Sequence, residues 1–268
     1  MNITFIGGGN MASAIISGLV KQPGHRIQVV EPGADKRAKL SEQYGVTALE
    51  APPAAFDQQE VVVLAVKPQQ LKDVCVNLAA RLHGALVLSI AAGVGVAALS
   101  HWLNGHQRIV RVMPNTPAMV GQGVSGVYAP AALPAADGEA ARAIMRAVGE
   151  VVPLAQESGI DDITCVSGSG PAYVFYFIEA MIEEAQRQGF SAEEARRLVL
   201  ATFEGAVTLA KASSDDVAVL RANVTSKGGT TERAIARFEA ERVKAAIGAG
   251  MVDCRARSVE LGQLLSQD

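Results

Sequence analysis

The chain has 268 residues, 49% of them apolar and 19% charged, with a formal net charge of −3. That length accommodates one large domain or two ordinary ones, and the charge offers no broad basic surface for nucleic acid. Aromatic residues are only 4% of the chain, too few for a base-stacking platform.

Asn2-Ile3-Thr4-Phe5-Ile6 reads as a short buried strand, followed at once by Gly7-Gly8-Gly9-Asn10-Met11-Ala12 and then by Ser13-Ala14-Ile15-Ile16, the apolar face of a helix. This is a G-x-G-x-x-A pattern between a strand and a helix, the context a dinucleotide loop requires. Gly7 is expected to make the tight turn, Gly9 to admit a pyrophosphate, and Ala12 to let the helix lie close to the strand. The helix start turns free N–H groups toward phosphate. Gly18 to Gly24 reads as a turn, and Ile27 to Glu31 as the second strand. Glu31 stands 22 residues after Gly9, near where an acid reads the ribose 2′-hydroxyl, which taken alone argues for NAD. Lys36 and Arg37 follow, either to pair with a 2′-phosphate or as an exposed helix face, so these residues leave NAD and NADP open.

Asp35 to Tyr44 reads as a helix stopped by Gly45, and Val46 to Ala48 as an edge strand. Glu60 to Val66 is a continuous apolar run, as expected of a parallel strand covered on both faces. It ends in Ala65-Val66-Lys67-Pro68, at the carboxyl edge where open sheets bind ligands. Gln69 to Leu82 reads as a helix with Leu71, Val74, Cys75 and Leu78 on one stripe. Leu86 to Ile90 is the next strand, Val96 to Leu103 a short helix, and Arg108 to Met113 another strand. Pro114-Asn115-Thr116-Pro117 stops it, as a stiff turn or as a loop beside the nicotinamide. Gly123 to Tyr128 and Glu150 to Val152 read as strands around a helix from Gly138 to Val148. This alternation argues for an open α/β domain to about residue 155.

From Ser158 onward the pattern is helical. Asp161 and Asp162 start a helix, and Ser167-Gly168-Ser169-Gly170-Pro171 reads as a flexible interdomain turn before a long helix from Ala172 to Gln188. Val174, Phe175, Phe177, Ile178, Met181 and Ile182 cover most of that helix's circumference, which calls for burial by another subunit. Ser191 and Glu194 form a capping box for a helix to about Lys211. Ser214 is the expected cap of a short helix to Ala222, and further helices are expected over Thr230–Ile247 and Val252–Leu265. Between them, Val224-Thr225-Ser226-Lys227-Gly228-Gly229-Thr230-Thr231 brings two glycines and four hydroxyls to a helix start, as an anion site or as a loose cap.

Cys75, Cys165 and Cys254 are odd in number and widely spaced, which points to a reducing, cytoplasmic setting. The chain opens on a strand, without room for a signal peptide, and no apolar run reaches spanning length, so no membrane is expected. His25, His83, His101 and His106 have no metal-ligand spacing, and no metal is expected. No G-x-S-x-G elbow is present for a hydrolase.

In order along the chain, these segments resemble the pyrroline-5-carboxylate reductase family over essentially the whole length. Phe5 to Ala12, Ala65 to Pro68 and Met113 to Pro117 look like its three cofactor-side loops. Ser167 to Tyr173 resembles the entry to its interface helix, and Ser226 to Thr231 its signature. The resemblance implies an N-terminal Rossmann-type dinucleotide-binding α/β domain over 1–157, then an all-α dimerisation and substrate domain over 158–268. It implies NAD(P)H-dependent reduction of a cyclic imine carboxylate to L-proline, usually with NADPH and with NADH as the other candidate. It also implies intertwined homodimers, which in many members assemble into decamers. The cofactor contacts implied are Ile6, Gly7, Gly8, Gly9, Asn10, Met11, Ala12, Glu31, Lys36, Arg37, Ala65, Val66, Lys67, Pro68, Asn115, Thr116 and Pro117. Ser226, Gly228, Gly229, Thr230 and Thr231 are the implied substrate contacts, and Thr231, by its match to the family's position, is the expected catalytic partner of the ring nitrogen.

The chain departs from the family in three places. Lys227 stands where proline is usual, which keeps the N–H groups and adds a charge near a carboxylate or toward solvent. Arg221-Ala222 replaces a frequent Lys-Asp pair. Ala51-Pro52-Pro53 lies where many members place an asparagine that reaches the adenosine ribose. Two alternatives remain open: a β-hydroxyacid dehydrogenase-like oxidoreductase, and a dinucleotide-sensing module without catalysis. The first commonly uses a helix lysine for proton transfer, and the 172–188 helix has none.

Overall fold

Eight strands, β1 (Asn2–Ile6), β2 (Arg26–Val30), β3 (Thr47–Leu49), β4 (Val61–Leu64), β5 (Leu86–Ser89), β6 (Ile109–Met113), β7 (Gly123–Tyr128) and β8 (Gly149–Leu154), form one sheet. Their order is β3-β2-β1-β4-β5-β6-β7-β8. The computed structural model describes residues 1–266, so the last two residues of the expected 158–268 domain lie outside the described residues. Strands β1 to β6 are mutually parallel, β7 pairs antiparallel with β6, and β8 runs parallel to β7. The chain order reverses between β1 and β4. That crevice is where an open sheet takes its ligand, and the Gly7 loop leaves β1 there.

The apolar runs of β1, β4 and β5 are continuous because both faces of the sheet are covered. Ile3, Phe5, Val61, Val63, Leu86 and Leu88 face one layer, with Ile15, Ile16 and Leu19 of α1 (Asn10–Leu19) and Ile144 of α5 (Ala135–Arg146). The alternate residues Ile6, Val62, Leu64 and Val87 face the other layer. There they meet Leu71, Cys75 and Leu78 of α3 (Pro68–Leu78) and Leu99 and Trp102 of α4 (Val96–Trp102). The two-residue period of a strand divides each run between the layers. Burial pushes the Cys75 thiol up to about 12, so it acts as a core apolar group. Helix α2 (Ala34–Tyr44) ends at Gly45, whose φ of +67° is the left-handed stop expected of it. Gly18 lies inside α1 and not in a turn. A Cβ there would sit 2.3 Å from the Ala147 carbonyl oxygen, so glycine is what lets α1 approach the chain after α5.

By its contacts the chain divides into two compact units, Met1–Ser169 with the chain end from Asp253, and Gly170–Val252. These units do not coincide with 1–157 and 158–268. The first unit includes α6 (Gly159–Ile163) and a π-helical turn over Thr164–Gly168. Ser167 and Gly168 end this turn and Gly170 and Pro171 begin the next helix, so the expected flexible turn narrows to a bend at Ser169, where the two units divide. Asp161 and Asp162 do start α6, and Asp161 Oδ1 accepts from the Ser258 hydroxyl at 2.6 Å while Asp162 pairs with Arg255.

The second unit contains α7 (Gly170–Arg187), α8 (Ala192–Ala212), α9 (Val217–Asn223), α10 (Thr230–Ala240) and the start of α11 (Val243–Ser266). The capping box at α8 makes both bonds: Glu194 N–H donates to Ser191 Oγ at 3.2 Å, and Ser191 N–H to Glu194 Oε2 at 3.0 Å. The cap of α9 is Asp216, which accepts from Ala218 N–H at 2.7 Å, and not Ser214. The last helices also break elsewhere than the glycines suggest. Arg242, at φ +56°, separates α10 from α11, and Gly248 and Gly250 are carried within α11. Among the described residues of this unit only Ala195 and Val199 are buried apolar side chains. Val174, Phe175, Tyr176 and Met181 of α7 stand exposed.

Candidate functional site

The loop after β1 is shaped by what its glycines lack. Gly7 adopts φ +101°, and a Cβ there would lie 2.9 Å from the Ala65 carbonyl oxygen. At Gly8 a Cβ would meet Leu40 Cδ1 at 2.5 Å. Gly9 differs: a Cβ there would meet no atom within 4 Å, and no side chain caps the start of α1. Gly7 and Gly8 thus fold the loop tightly, while Gly9 leaves open space at a helix N-terminus. That is the cradle a pyrophosphate fits, with backbone N–H groups and the helix dipole directed at it.

A cavity of about 820 Å³ opens on this loop. Of the expected cofactor residues it gathers Ile6, Gly7, Gly8, Gly9, Glu31, Lys36, Ala65, Val66 and Lys67. Asn10, Met11, Ala12, Arg37, Pro68, Asn115, Thr116 and Pro117 do not line it. Met11 and Ala12 pack toward the core, and Pro68 occupies the first turn of α3. Asn115 is 6% exposed and both ends of its amide are engaged. Its Nδ2 donates to the Ser167 carbonyl at 2.9 Å, and its Oδ1 accepts from Val124 N–H at 2.8 Å. Thr116 and Pro117 begin a 3-10 turn.

At the end of β2, Glu31 is 8% exposed and bonded through both oxygens. Oε2 accepts from Gly8 N–H at 3.2 Å and Oε1 from Gly33 N–H at 3.0 Å. Arg37 donates to the carbonyls of Glu31 at 2.9 Å and Pro32 at 2.6 Å, and reaches Glu50 at 3.4 Å. Lys36 is exposed at the cavity and makes no hydrogen bond or ion pair among the described residues.

The cavity also has a wall that the sequence reading missed. Gln70, Asp73, Asn77 and Arg81 line it, beside Val74 and Leu78. Gln70, Asp73 and Asn77 are spaced three to four residues apart on α3, a polar stripe next to the apolar one whose signal was present in the helix period, and Arg81 follows in the 3-10 turn Ala79–Arg81. Pro52, from the segment that replaces the family's asparagine, lines it too. A separate cavity of about 740 Å³ around Gly93, His101, Arg111 and Glu157 contains none of the expected site residues.

In the second unit, the loop before α10 is held from within. Gly228 has φ +75°, and its N–H donates to Glu232 Oε2 at 2.7 Å. Gly229 N–H donates to the Ser226 carbonyl at 3.0 Å. Gly229 precedes the first residue of α10, and no side chain caps that helix. Thr231 is half-buried, whereas Ser226, Lys227 and Thr230 are exposed. Lys227 makes no hydrogen bond or ion pair among the described residues. Arg221, in the position of the family's Lys-Asp pair, reaches Glu239 at 3.6 Å.

Among the described residues no group of three or more His, Cys, Asp or Glu side chains is placed to hold a metal ion. Among them, too, no helix is long and apolar enough to cross a membrane.

Comparison with known proteins agrees with both halves. Residues 157–261 match the family described as pyrroline-5-carboxylate reductase dimerisation, and residues 2–93 match the family described as NADP oxidoreductase, coenzyme F420-dependent. A pyrroline-5-carboxylate reductase of Pseudomonas aeruginosa is 44% identical over 268 residues, covering 99% of this chain and 98% of its own. The structure of a pyrroline-5-carboxylate reductase from Coxiella burnetii is similar at a TM-score of 0.88 and 40% identity, over 97% of this chain and 98% of its own. A pyrroline carboxylate reductase from Plasmodium falciparum, solved with NADP bound, is similar at a TM-score of 0.86 and 27% identity, over 98% of each chain.

Proposed function

The chain belongs to the pyrroline-5-carboxylate reductase family, and from that premise we propose how its residues divide the work. The protein is an NAD(P)H-dependent oxidoreductase that reduces L-1-pyrroline-5-carboxylate to L-proline, the last step of proline biosynthesis. It forms a homodimer through its helical region. We assign cofactor binding to 1–157, and dimerisation with substrate binding to 158–268. Assembly of dimers into a decamer is the further step that the family resemblance implies. The three free cysteines fit a reducing compartment, and we place the enzyme in the cytoplasm.

The observation that carries this reading is the open face of Gly9 at the uncapped start of α1. The loop Gly7 to Gly9 holds the pyrophosphate, with Lys36 at the adenosine end and Ala65 to Lys67 along the wall. The bound nicotinamide supplies the hydride. A protonated cyclic imine already has an electrophilic carbon, so the protein's task is orientation more than acid–base chemistry. The Ser226 hydroxyl and the N–H groups at the start of α10 take the substrate carboxylate. Gly228 supplies the left-handed turn, and its own N–H is satisfied by Glu232. The Thr231 hydroxyl accepts from the iminium N–H and then donates to the amine that forms. A β-hydroxyacid dehydrogenase would need a proton-transfer group for an alcohol, and α7 has no lysine.

The test is a steady-state assay of the purified protein with NADPH and pyrroline-5-carboxylate, following loss of reduced-nicotinamide absorbance. Turnover that requires both reactants is expected. NADPH binding without oxidation would leave the sensing module as the better reading.

A further inference from the structure

We propose that Glu31 is a positioning residue that folds the cofactor loop, and that Lys36, not Glu31, reads the 2′ position of the adenosine ribose. This rests on the dinucleotide site assigned above and deepens it to a cofactor choice.

An acid at the end of the second strand normally signals NAD, because a free carboxylate accepts from the 2′-hydroxyl and repels a 2′-phosphate. Here the carboxylate is not free. One oxygen accepts from Gly8 in the cofactor loop and the other from Gly33 in the turn after β2. The two bonds join segments 25 residues apart in the chain, 33 less 8. They form at a side chain that is 8% exposed. Charge-assisted bonds of this kind are about twice as strong as neutral ones, and with one N–H on each oxygen they fix the carboxylate between the cofactor loop and the turn after β2. The neighbourhood is built around this arrangement. A Cβ at Gly33 would stand 3.2 Å from Glu31 Oε1, and one at Gly8 3.4 Å from Glu31 Oε2. A side chain at Gly33 would press on the carboxylate, and one at Gly8 would just touch it.

Arg37 secures the same turn from the backbone side. Its guanidinium donates to the carbonyls of Glu31 and Pro32 and so is committed to the fold. That leaves Lys36 as the cation without a partner at this end of the cavity. A Cβ at Gly33 would lie 3.9 Å from the Lys36 Cδ, so the lysine stem lies beside the turn where the second strand ends and the ribose is expected. A 2′-phosphate there meets an unpaired ammonium, and the acid that would repel it is screened by two N–H dipoles. The chain therefore selects NADPH although it carries an acid in the NAD position.

The test is calorimetric Kd for NADPH and for NADH, without imine, on the wild type and two variants, with thermal unfolding of each. Glu31→Gln removes the charge and one acceptor. The positioning role predicts that both cofactors weaken by a similar factor, about tenfold, at a temperature where the variant is folded. Stronger NADPH binding with weaker NADH binding would identify Glu31 as the ribose reader and overturn the proposal. Unchanged affinity for both, with or without a fall in Tm, would overturn it as well. Lys36→Ala tests the second half without touching the loop: NADPH should weaken about tenfold and NADH hardly at all. An unchanged ratio would remove Lys36 from the 2′ site. If the wild type binds neither cofactor, it is the dinucleotide site that fails; if it binds them and only the variant ratios disagree, the failure lies in this inference alone.

Discussion

In the first unit Phe5, Val63 and Leu88 are sealed between the sheet and helices of the same chain, whereas on α7 in the second unit Phe175 and Tyr176 stand 63% and 70% exposed. A sheet covered on both faces buries its apolar runs unaided, at about 1.5–3 kcal/mol for each large side chain. The second unit has no such partner within itself. Its apolar groove of about 500 Å³, lined by Tyr176, Phe177, Val243 and Ile247, lies in the region matched to the dimerisation family, where a second copy is expected to cover it. The proposed cofactor cradle therefore sits on the unit that buries its own core. The loop proposed for the imine sits on the unit with few buried side chains of its own, whose stability is expected to rise with assembly and hence with protein concentration.

The largest expected effect breaks that contrast at the interface. Phe177→Asp should weaken the dimer by about 2–4 kcal/mol, roughly 30- to 1,000-fold in its Kd. Sedimentation should show monomer or unfolded chain at concentrations where the wild type is dimeric. An unchanged dimer would show that α7 is covered in some other way. Next comes Gly9→Val. The new side chain meets no protein atom at its Cβ, so Tm should hold while cofactor Kd rises about 100-fold by calorimetry. Undiminished binding would move the pyrophosphate elsewhere.

Thr231→Val asks whether the second unit carries chemistry as well as assembly. Loss of a hydrogen bond to a charged partner costs about 1.5–3 kcal/mol, roughly 10- to 150-fold in kcat/KM. NADPH affinity should be unchanged, since Thr231 lies outside the cofactor cavity. Near-normal turnover by folded protein would reduce Thr231 to a helix-start residue. The smallest effect is Ser191→Ala, which removes the α8 cap. It should cost about 1 kcal/mol in urea unfolding and leave kcat/KM alone. A fall in kcat/KM would tie α8 to the site.

The strands were legible to within a residue or two, most plainly β4 and β5, because parallel strands covered on both faces must be apolar runs. The capping box and the Gly45 stop were legible for local reasons of the same kind. The end of α10 was not. Gly248 and Gly250 look like breakers, yet the helix carries both, and a Cβ at either would meet no neighbour within 4 Å outside the helix's own backbone. The actual break is a non-glycine residue, Arg242, at positive φ, which nothing in its type announces. Glu31 and Asn115 show a different limit. Their identities marked a ligand edge, but the N–H and carbonyl groups that occupy them come from residues 8, 33, 124 and 167. Only the folded backbone brings those groups together. The polar stripe of α3 was legible in its period, beside the apolar one.

Hydride transfer to the imine carbon is followed most simply by a labelled turnover. Purified enzyme is given pyrroline-5-carboxylate and NADPH carrying two deuterium atoms at nicotinamide C4, so that either face delivers label, and the proline formed is examined by mass spectrometry and NMR. The account predicts one deuterium per proline, at C5, with one NADPH consumed for each proline. Unlabelled proline, or NADPH that binds and is not oxidised, would contradict it.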